Sequence, residues 1–530
     1  MSKFFPYSPT DAAQAHQAAA ATNFGLKWML RQSGKTTEMS DNIPELIRFL
    51  SEDLRFRIRK RDKAFDYEFY LLDLSEWKLR LSDRSPFIRV EARHLEQFDA
   101  DTIVSGIEAV ILNQRFQDRI PIVIVEGPST KLRDLVRLRL PFSVVLDEDD
   151  VRQITTGTIT ARRMLDLISE QLPVSALSPY EVSSPVVGNR FFGREYEIRT
   201  ILNHPETNYV IVGVRRIGKT SLLLETRHRM NDMGDHRVFF FDCSDFNGPE
   251  DYIRAVTTEV AIKERERMNL QQFPYFLRRR SAKGSKPLTF FLDEVDHLIE
   301  FDRRENWTLL RVLRSSAIQG HCRYILSGFR EVIEECLRVE TPLFNFVTTL
   351  SLGNLSREET RRLVTVPMQN MGISIEHEGD VGNQIFEETA GHPNFVQYYC
   401  YFLVQLMDRE GRRQIKPNDL ALLYGDPEFE RYVFRTFSSN TTELEKAIVY
   451  SLVDRGQFTI KDIDVALKRR RVRRVTGQQL EQACDSLRIA GILDKQGKFF
   501  GFATPILPRM LRERYDVDYL FTRAKEDGNL

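Results

Sequence analysis

Residues 208–222 read Asn-Tyr-Val-Ile-Val-Gly-Val-Arg-Arg-Ile-Gly-Lys-Thr-Ser-Leu, and this stretch decides the fold. Asn208–Val214 carries a continuous apolar, β-branched run, the pattern of a strand covered on both faces. It passes into Gly213-Val214-Arg215-Arg216-Ile217-Gly218-Lys219-Thr220, the spacing G-x-x-x-x-G-K-[ST], and a helical pattern follows from Ser221. Each position has a chemical reason. Gly213 and Gly218 let backbone N–H groups curl around a phosphate without a Cβ in the way, and the following helix aims its positive end at the anion. Lys219 can reach β- and γ-phosphates, and the Thr220 hydroxyl can take Mg²⁺. A strand, loop and helix in this order predict a nucleoside triphosphate site in a parallel α/β sheet.

About 70 residues on, Leu288-Thr289-Phe290-Phe291-Leu292 forms a second buried-strand run, ending in Asp293-Glu294. With the phosphate loop upstream, Asp293 is the candidate to hold Mg²⁺ and Glu294 the candidate base that polarises a water for attack on the γ-phosphate. A third strand, Arg323–Leu326, ends in Ser327-Gly328. Ser327 there is either a group beside the γ-phosphate or an N-cap of the next helix. Arg330 and Arg338 follow and are candidates for an arginine that reaches a neighbouring molecule's nucleotide.

The chain has 530 residues, so several domains are expected. Hydrophobic residues make up 42% and charged residues 29%, a folding composition that excludes a wholly disordered chain. Lys plus Arg equals Asp plus Glu at 76 each, so no global field draws the protein to nucleic acid or anionic lipid. No run approaches the roughly 20 apolar residues of a membrane helix. The five cysteines lie far apart without a CxxC pair, and with no signal-peptide pattern at the start the expected location is cytoplasmic.

Pro173, Pro179 and Pro185, with four serines, mark residues 173–190 as an extended linker. Before it, residues 1–172 read as helical up to about Arg61, then as alternating strands and helices: Tyr67–Leu74, Ala100–Gln114, Ile120–Val125, Thr130–Leu138 and Phe142–Leu146. That alternation predicts a Rossmann-like α/β domain with a parallel sheet. Its last strand runs into Asp147-Glu148-Asp149-Asp150, either a metal or substrate site or a capping loop for the next helix.

The motifs together resemble a known family. Phe191-Phe192-Gly193-Arg194-Glu195 looks like its F-x-G-R-E leading segment, and residues 212–222 are similar to the GxRRxGKTSL loop of the prokaryotic "archaeal ATPase" group. That group is allied to the AAA+-related STAND ATPases and, more distantly, to origin-recognition ATPases. Leu355-Ser356-Arg357-Glu358-Glu359 and Gly391-His392-Pro393 look like its helical lid with a G-x-P motif. The resemblance covers residues 190–520, about 60% of the chain. It implies a P-loop core over 191–350, a lid over 351–420 and a winged helix over 421–525. It also implies ATP with Mg²⁺ as ligands, Phe192, Gly193 and Arg194 flanking the adenine, and Pro393 closing over base or ribose. Arg216, Ile217 and Ser221 complete the loop's candidate nucleotide contacts. Two departures stand out: Val214 replaces the usual proline, and Pro342-Leu343-Phe344-Asn345-Phe346 occupies the place of a Y-G-R finger.

Residues 442–455, 460–467 and 476–490 have helical spacing, and Lys498–Phe502 suits a wing strand. Between the second and third helices, Lys468, Arg469, Arg470, Arg471, Arg473 and Arg474 supply six basic residues in seven. They are either a nucleic-acid grip or a solvated face. The leading expectation is an ATP-binding and hydrolysing switch that couples nucleotide state to lid and winged-helix packing and to self-association or a partner effector, in bacterial defence or stress signalling. Its rivals are a DNA-gripping AAA+ loader and an ATPase that regulates a nuclease-like N-terminal domain.

Overall fold

The computed structural model describes residues 42–530 except 53–55, 82–83, 157–159, 262–267, 282–284, 377, 417, 424, 440 and 473–474. The described residues fall into two compact units. One comprises residues 42–77, 81–177 and 370–372; the other comprises 78–80, 178–369 and 373–530.

The first unit opens with helix α1 (Asn42–Glu52), followed by strands β1 (Ile58–Ala64), β2 (Tyr67–Leu72) and β3 (Ser85–Val90). Helix α2 (Ala100–Asn113), β4 (Ile122–Val125), α3 (Thr130–Arg139), β5 (Val144–Leu146), α4 (Glu148–Thr156) and α5 (Thr160–Gln171) complete it. The sheet order is β1-β2-β3-β4-β5. Two expectations need correcting. Residues 58–64 (IRKRDKA) form a strand, not the end of a helical stretch; their charges line a largely exposed edge that pairs antiparallel with β2. And the sheet is mixed. β1, β2 and β3 form an antiparallel meander, and only β3, β4 and β5 are parallel. With the strands in sequential order there is no reversal of the kind that opens a ligand crevice in doubly wound sheets.

The acidic stretch after β5 is a helix cap. The Asp150 N–H donates to Asp147 Oδ1 at 3.1 Å and the Asp147 N–H to Asp150 Oδ2 at 3.2 Å, a reciprocal capping box for α4. Arg133 ion-pairs with both carboxylates, and Ser129 Oγ donates to Asp147 at 3.0 Å. The carboxylates are thus spent on structure. Among the described residues there is no group of three or more His, Cys, Asp or Glu that could hold a metal.

The second unit is built on a five-stranded sheet: β6 (Tyr209–Val212), β7 (Arg237–Asp242), β8 (Leu288–Asp293), β9 (Arg323–Gly328) and β10 (Thr348–Ser351). All its pairings are parallel, in the order β10-β6-β9-β8-β7. The helices around it are α6 (Glu195–Asn203), α7 (Lys219–Met233), α8 (Pro249–Ala261), α9 (Phe273–Arg280), α10 (Val295–Arg304), α11 (Thr308–Ile318) and α12 (Arg330–Leu337). Their shared core includes Val210, Phe290, Leu292, Tyr324 and Leu326, all buried. Because β6 lies between β10 and β9 while its successor β7 lies at the far edge, the strand order reverses around β6. This is the position where open α/β sheets bind ligands at the carboxyl ends of their strands.

The lid follows as α13 (Arg357–Asn370), α14 (Glu378–Thr389) and α15 (Pro393–Glu410), with a short parallel pair, β11 (Ser374–Ile375) and β12 (Gln414–Ile415). Gly391 sits at φ +74°, and its carbonyl accepts from the Leu355 N–H at 2.8 Å. A Cβ at 391 would run into the Leu355 carbonyl oxygen. Gly391→Ala is therefore expected to lower stability by about 2–4 kcal/mol, from left-handed strain plus the clash. Gly411, at φ +61° with open space around it, should cost only about 1–2 kcal/mol as alanine. Thermal midpoints of the two variants against the parent check both values.

Beyond α16 (Asp419–Leu423) come α17 (Pro427–Ser439), α18 (Glu443–Leu452), α19 (Ile460–Arg469) and α20 (Gly477–Ile489). An antiparallel hairpin of β13 (Leu493–Gln496) and β14 (Phe499–Phe502) follows. Thr442, Thr459 and Thr476 each close a capping box, which fixes where the three middle helices begin. Two further helices, α21 (Ile506–Arg514) and α22 (Val517–Asp527), lie beyond the hairpin.

The extended linker expected over 173–190 needs correcting: Val174–Leu177 form a short α-helix, and residues 178–190, extended in part, are bound along their length. Tyr180 Oη donates to the Leu363 and Val364 carbonyls at 3.1 and 3.0 Å, and the Glu181 N–H donates to Gln397 Oε1 at 3.2 Å. The Val186 N–H donates to Ser221 Oγ at 3.0 Å and the Gly188 N–H to Glu225 Oε2 at 2.7 Å. The segment is a strap across the lid and the phosphate-loop helix.

Candidate nucleotide site

The loop after β6 takes the shape its glycines allow. Gly218 has φ +100° and opens α7, while a Cβ at Gly213 would meet Ile217 Cγ2 at 2.9 Å and the Leu352 carbonyl at 3.1 Å. Arg216 holds φ +66° without being glycine, a conformation that costs free energy and concentrates at functional loops. Lys219 is buried, and its ammonium donates to the carbonyls of Gly213 and Val214 at 2.8 and 3.2 Å. Burial pushes its pKa down, while Glu294, Asp293 and Asp296 pull it back up. A polyanion in the loop would favour the charged ammonium further.

The two strand-end acids behave differently. Asp293 is buried, and its Oδ1 accepts from Ser327 Oγ and from the Glu294 N–H. Glu294 has φ +49°. Burial raises its pKa above the ordinary value, against the opposing pull of Lys219 and with further push from Asp293 and Asp296. A carboxylate whose pKa is raised by burial is a stronger base than an ordinary glutamate and is suited to accepting a proton. Ser327 lies inside β9, fully buried, so of its two readings the N-cap is set aside. The following helix is capped by Asp296 instead, which accepts from the Phe329 and Val332 N–H groups at 2.7 and 3.2 Å.

The remaining candidates line a cavity of about 80 Å³ beside the loop. Phe192, Arg194, Arg216, Ile217, Gly218, Ser221 and Pro393 border it, together with Phe191, Leu355, Leu363 and the strap residues Glu181, Ser184 and Val186. Asn394 and Gln397, one turn apart at the start of α15, add polar groups. Gly193 (φ +72°) and Arg194 (φ +64°) turn the chain into α6. The Arg194 guanidinium donates to the Gly353 carbonyl at 2.5 Å, and its N–H donates to Glu359 Oε1 at 3.3 Å. The leading segment is thus tied to the lid. Lys78, a member of this same unit, donates to the Phe191 carbonyl at 3.4 Å and stands 5.4 Å from the Phe192 ring centroid. His392 is buried against Phe395, and burial together with Arg194 and Arg216 lowers its pKa to about 4, so it is neutral at physiological pH.

Residues 173–425 match the model of the family described as Novel STAND NTPase 1. This central region is a STAND-like P-loop NTPase module. Among solved structures, the chain is similar to a Walker-type ATPase of Pyrococcus abyssi (15% identity, 63% of this chain and 99% of that one, TM-score 0.46). It is also similar to the Aeropyrum pernix ORC2 protein in ADPNP–ADP complexes (12% identity, 63% and 92%, TM-score 0.45). No curated protein matches the chain in sequence. Within the STAND-like module, Thr220 and Asp293 suit magnesium, which in NTPases takes one or two carboxylates and completes its shell with phosphate oxygens and water.

Both candidate finger arginines make ion pairs within the chain. Arg330 makes a bidentate pair with Glu445 in α18, at 3.0 and 2.7 Å, and Arg338 pairs with Glu335 at 3.0 Å. Arg330 is thus directed to α18, whereas Arg338 stays on the surface, paired along its own helix. The basic run after α19 is partly consumed as well: Lys468 pairs with Asp464 at 2.6 Å and Arg470 with Asp518 at 2.8 Å, the latter also over the Phe521 ring. Arg469 and Arg471 are exposed, while Arg473 and Arg474 lie outside the described residues. Glu181, Asn394 and Tyr432 escaped the sequence reading. No local motif marks them, since their roles come from contacts across 38 to 250 residues.

No helix among the described residues is long and apolar enough to cross a membrane.

Proposed function

We propose that the protein is an ATP-binding and ATP-hydrolysing switch whose nucleotide state controls the packing of its C-terminal helices, read as a winged helix. The observation that carries this is the convergence of Lys219, Asp293, Glu294 and Ser327 at the strand ends, with Arg330, three residues past Ser327, clasped by Glu445 of α18. The end of β9 is thereby tied to the C-terminal helices through one bidentate ion pair.

In the proposed reaction the loop N–H groups and Lys219 hold the phosphates, and Pro393 with the neighbouring strap residues covers the base. Thr220 and Asp293 would hold magnesium, which neutralises charge on the phosphates. Glu294 accepts the proton of the attacking water as its oxygen bonds to the γ-phosphorus and the bond to the β-phosphate oxygen breaks. The products are ADP and inorganic phosphate. Ser327 fixes Asp293 in its rotamer through the hydroxyl bond.

The raised pKa of Glu294 sets a pH dependence. The base works only when deprotonated, so turnover should fall about tenfold per unit as pH drops below that pKa, and the fall should begin above the ordinary glutamate range. A pH–rate profile of kcat tests this; an acid limb unchanged in Glu294→Gln would assign it to another group.

The switch itself is tested by size-exclusion chromatography with saturating ATP, then ADP. A nucleotide-dependent change in assembly or shape supports it, and identical elution in both states together with unchanged proteolysis counts against it. The DNA-gripping reading rests on the basic run alone, with Lys468 and Arg470 already paired. Duplex binding that collapses on neutralising Arg469 and Arg471 would bring it forward.

A further inference from the structure

The phosphate loop's own arginine is held by the C-terminal part of the chain. The Arg216 guanidinium lies 4.7 Å from the Tyr432 ring centroid and donates to Thr436 Oγ1 at 2.5 Å. Both partners sit one turn apart on α17, 216 and 220 residues downstream. Tyr432 is a junction. Its hydroxyl donates to the Val182 carbonyl at 3.1 Å and to Asn394 Oδ1, and its ring packs 4.7 Å from Tyr398. Burial pushes its phenol up to about 12, so it remains a donor throughout the physiological range. One side chain therefore joins the phosphate loop, the strap and the first turn of α15, and all three border the nucleotide cavity.

Two arginines that connect the NTPase module to the C-terminal helices, Arg330 and Arg216, are held unequally. Arg330 has a buried carboxylate, Glu445, in bidentate geometry. Arg216 has a ring face and a hydroxyl, both neutral, though it lines the cavity where a triphosphate would lie. An exposed cation–π contact and a single hydrogen bond to an uncharged hydroxyl are modest, whereas a guanidinium–phosphate pair joins two opposite charges and can be bidentate.

We propose that Arg216 is the residue through which a bound nucleoside triphosphate loosens α17: the phosphates draw the guanidinium off Tyr432 and Thr436, while Arg330 and Glu445 keep α18 docked. This rests on the nucleotide-site reading above and adds the residue pair that transmits it. α17 is the mobile element and α18 the fixed one.

Backbone hydrogen exchange over residues 427–439 of the full-length protein tests this, measured with and without a saturating non-hydrolysable ATP analogue and Mg²⁺. A fluorescent-nucleotide titration runs alongside. In the parent, nucleotide should raise exchange over 427–439 roughly three- to tenfold, the scale of one cation–π contact and one hydrogen bond, with residues 443–452 unchanged. Tyr432→Leu removes ring and hydroxyl together, so its exchange should already be high without nucleotide and rise less than twofold with it. Tyr432→Phe keeps the ring under Arg216 and should keep most of the response. Thr436→Val, the gentler substitution, should raise nucleotide-free exchange about two- to threefold. A purely structural Tyr432 would loosen α17 by the same factor in both nucleotide states. Unchanged or slower exchange in the parent with nucleotide demonstrably bound overturns the proposal, as does a Tyr432→Leu response equal to the parent's. No binding in the titration removes the nucleotide site and this proposal together, a failure distinct from the other two.

Discussion

Lys219→Ala is expected to abolish most nucleotide-dependent stabilisation. The ammonium is the buried cation of the loop, already folded onto the Gly213 and Val214 carbonyls, and it is the group that would swing to the phosphates. Losing charge-assisted bonds of about 1.5–3 kcal/mol each should weaken ATP binding by 100-fold or more. At an ATP concentration of about 100 times the parent's Kd, the parent gains roughly 2.7 kcal/mol, or about 5–10 °C in Tm for a module of this size. The variant at the same concentration gains about 0.4 kcal/mol, near 1 °C. The comparison must be of shifts, since truncation also strips the two carbonyls of a donor and lowers the unliganded Tm. A full nucleotide-induced shift in Lys219→Ala would contradict the phosphate-loop assignment.

Glu294→Gln should separate binding from chemistry. Glutamine preserves volume and hydrogen bonding but cannot accept the proton, and removing a positioned general base costs about 10²–10⁴-fold in turnover. Binding should survive, because Glu294 is not one of the groups that hold the phosphates. The expected pattern is a parent-like thermal shift with ATP and phosphate release slowed at least 100-fold. Parent-like turnover would remove Glu294 from the mechanism, and loss of the thermal shift would make it a binding residue. Asp293→Asn should instead harm both, since it removes the carboxylate that Ser327 fixes.

What was legible in the sequence follows the range of each interaction. The phosphate loop, the Asp293-Glu294 pair and Ser327 were readable because each is a short motif at the end of an apolar strand, where local pattern and tertiary position coincide. The three C-terminal helices were readable from their apolar spacing to within about three residues at each end, and Thr442, Thr459 and Thr476 cap their starts. The strand at 58–64 was not readable: Arg59, Lys60, Arg61 and Lys63 give no alternation, and only pairing with β2 makes it a strand. The prolines of 173–190 ruled out a long helix but not the short turns at Val174–Leu177 and Gly188–Arg190, and they could not tell that Tyr180, Glu181, Val186 and Gly188 would find partners as far off as residue 397. Nor could any window show Arg330 meeting Glu445 or Arg216 meeting Thr436, contacts spanning 115 and 220 residues.

Glu445 serves two masters. Besides clasping Arg330, it accepts the Thr442 N–H at 2.8 Å as the third residue of the capping box that starts α18. Should the arginine depart, the carboxylate would still hold one strong donor from its own helix, and α18 would keep its first turn. The seam between the NTPase module and α18 therefore keeps an ordered anchor on its C-terminal side while α17 loosens beside it. A device that must cycle many times, and not fire once and be discarded, needs a seam of that kind.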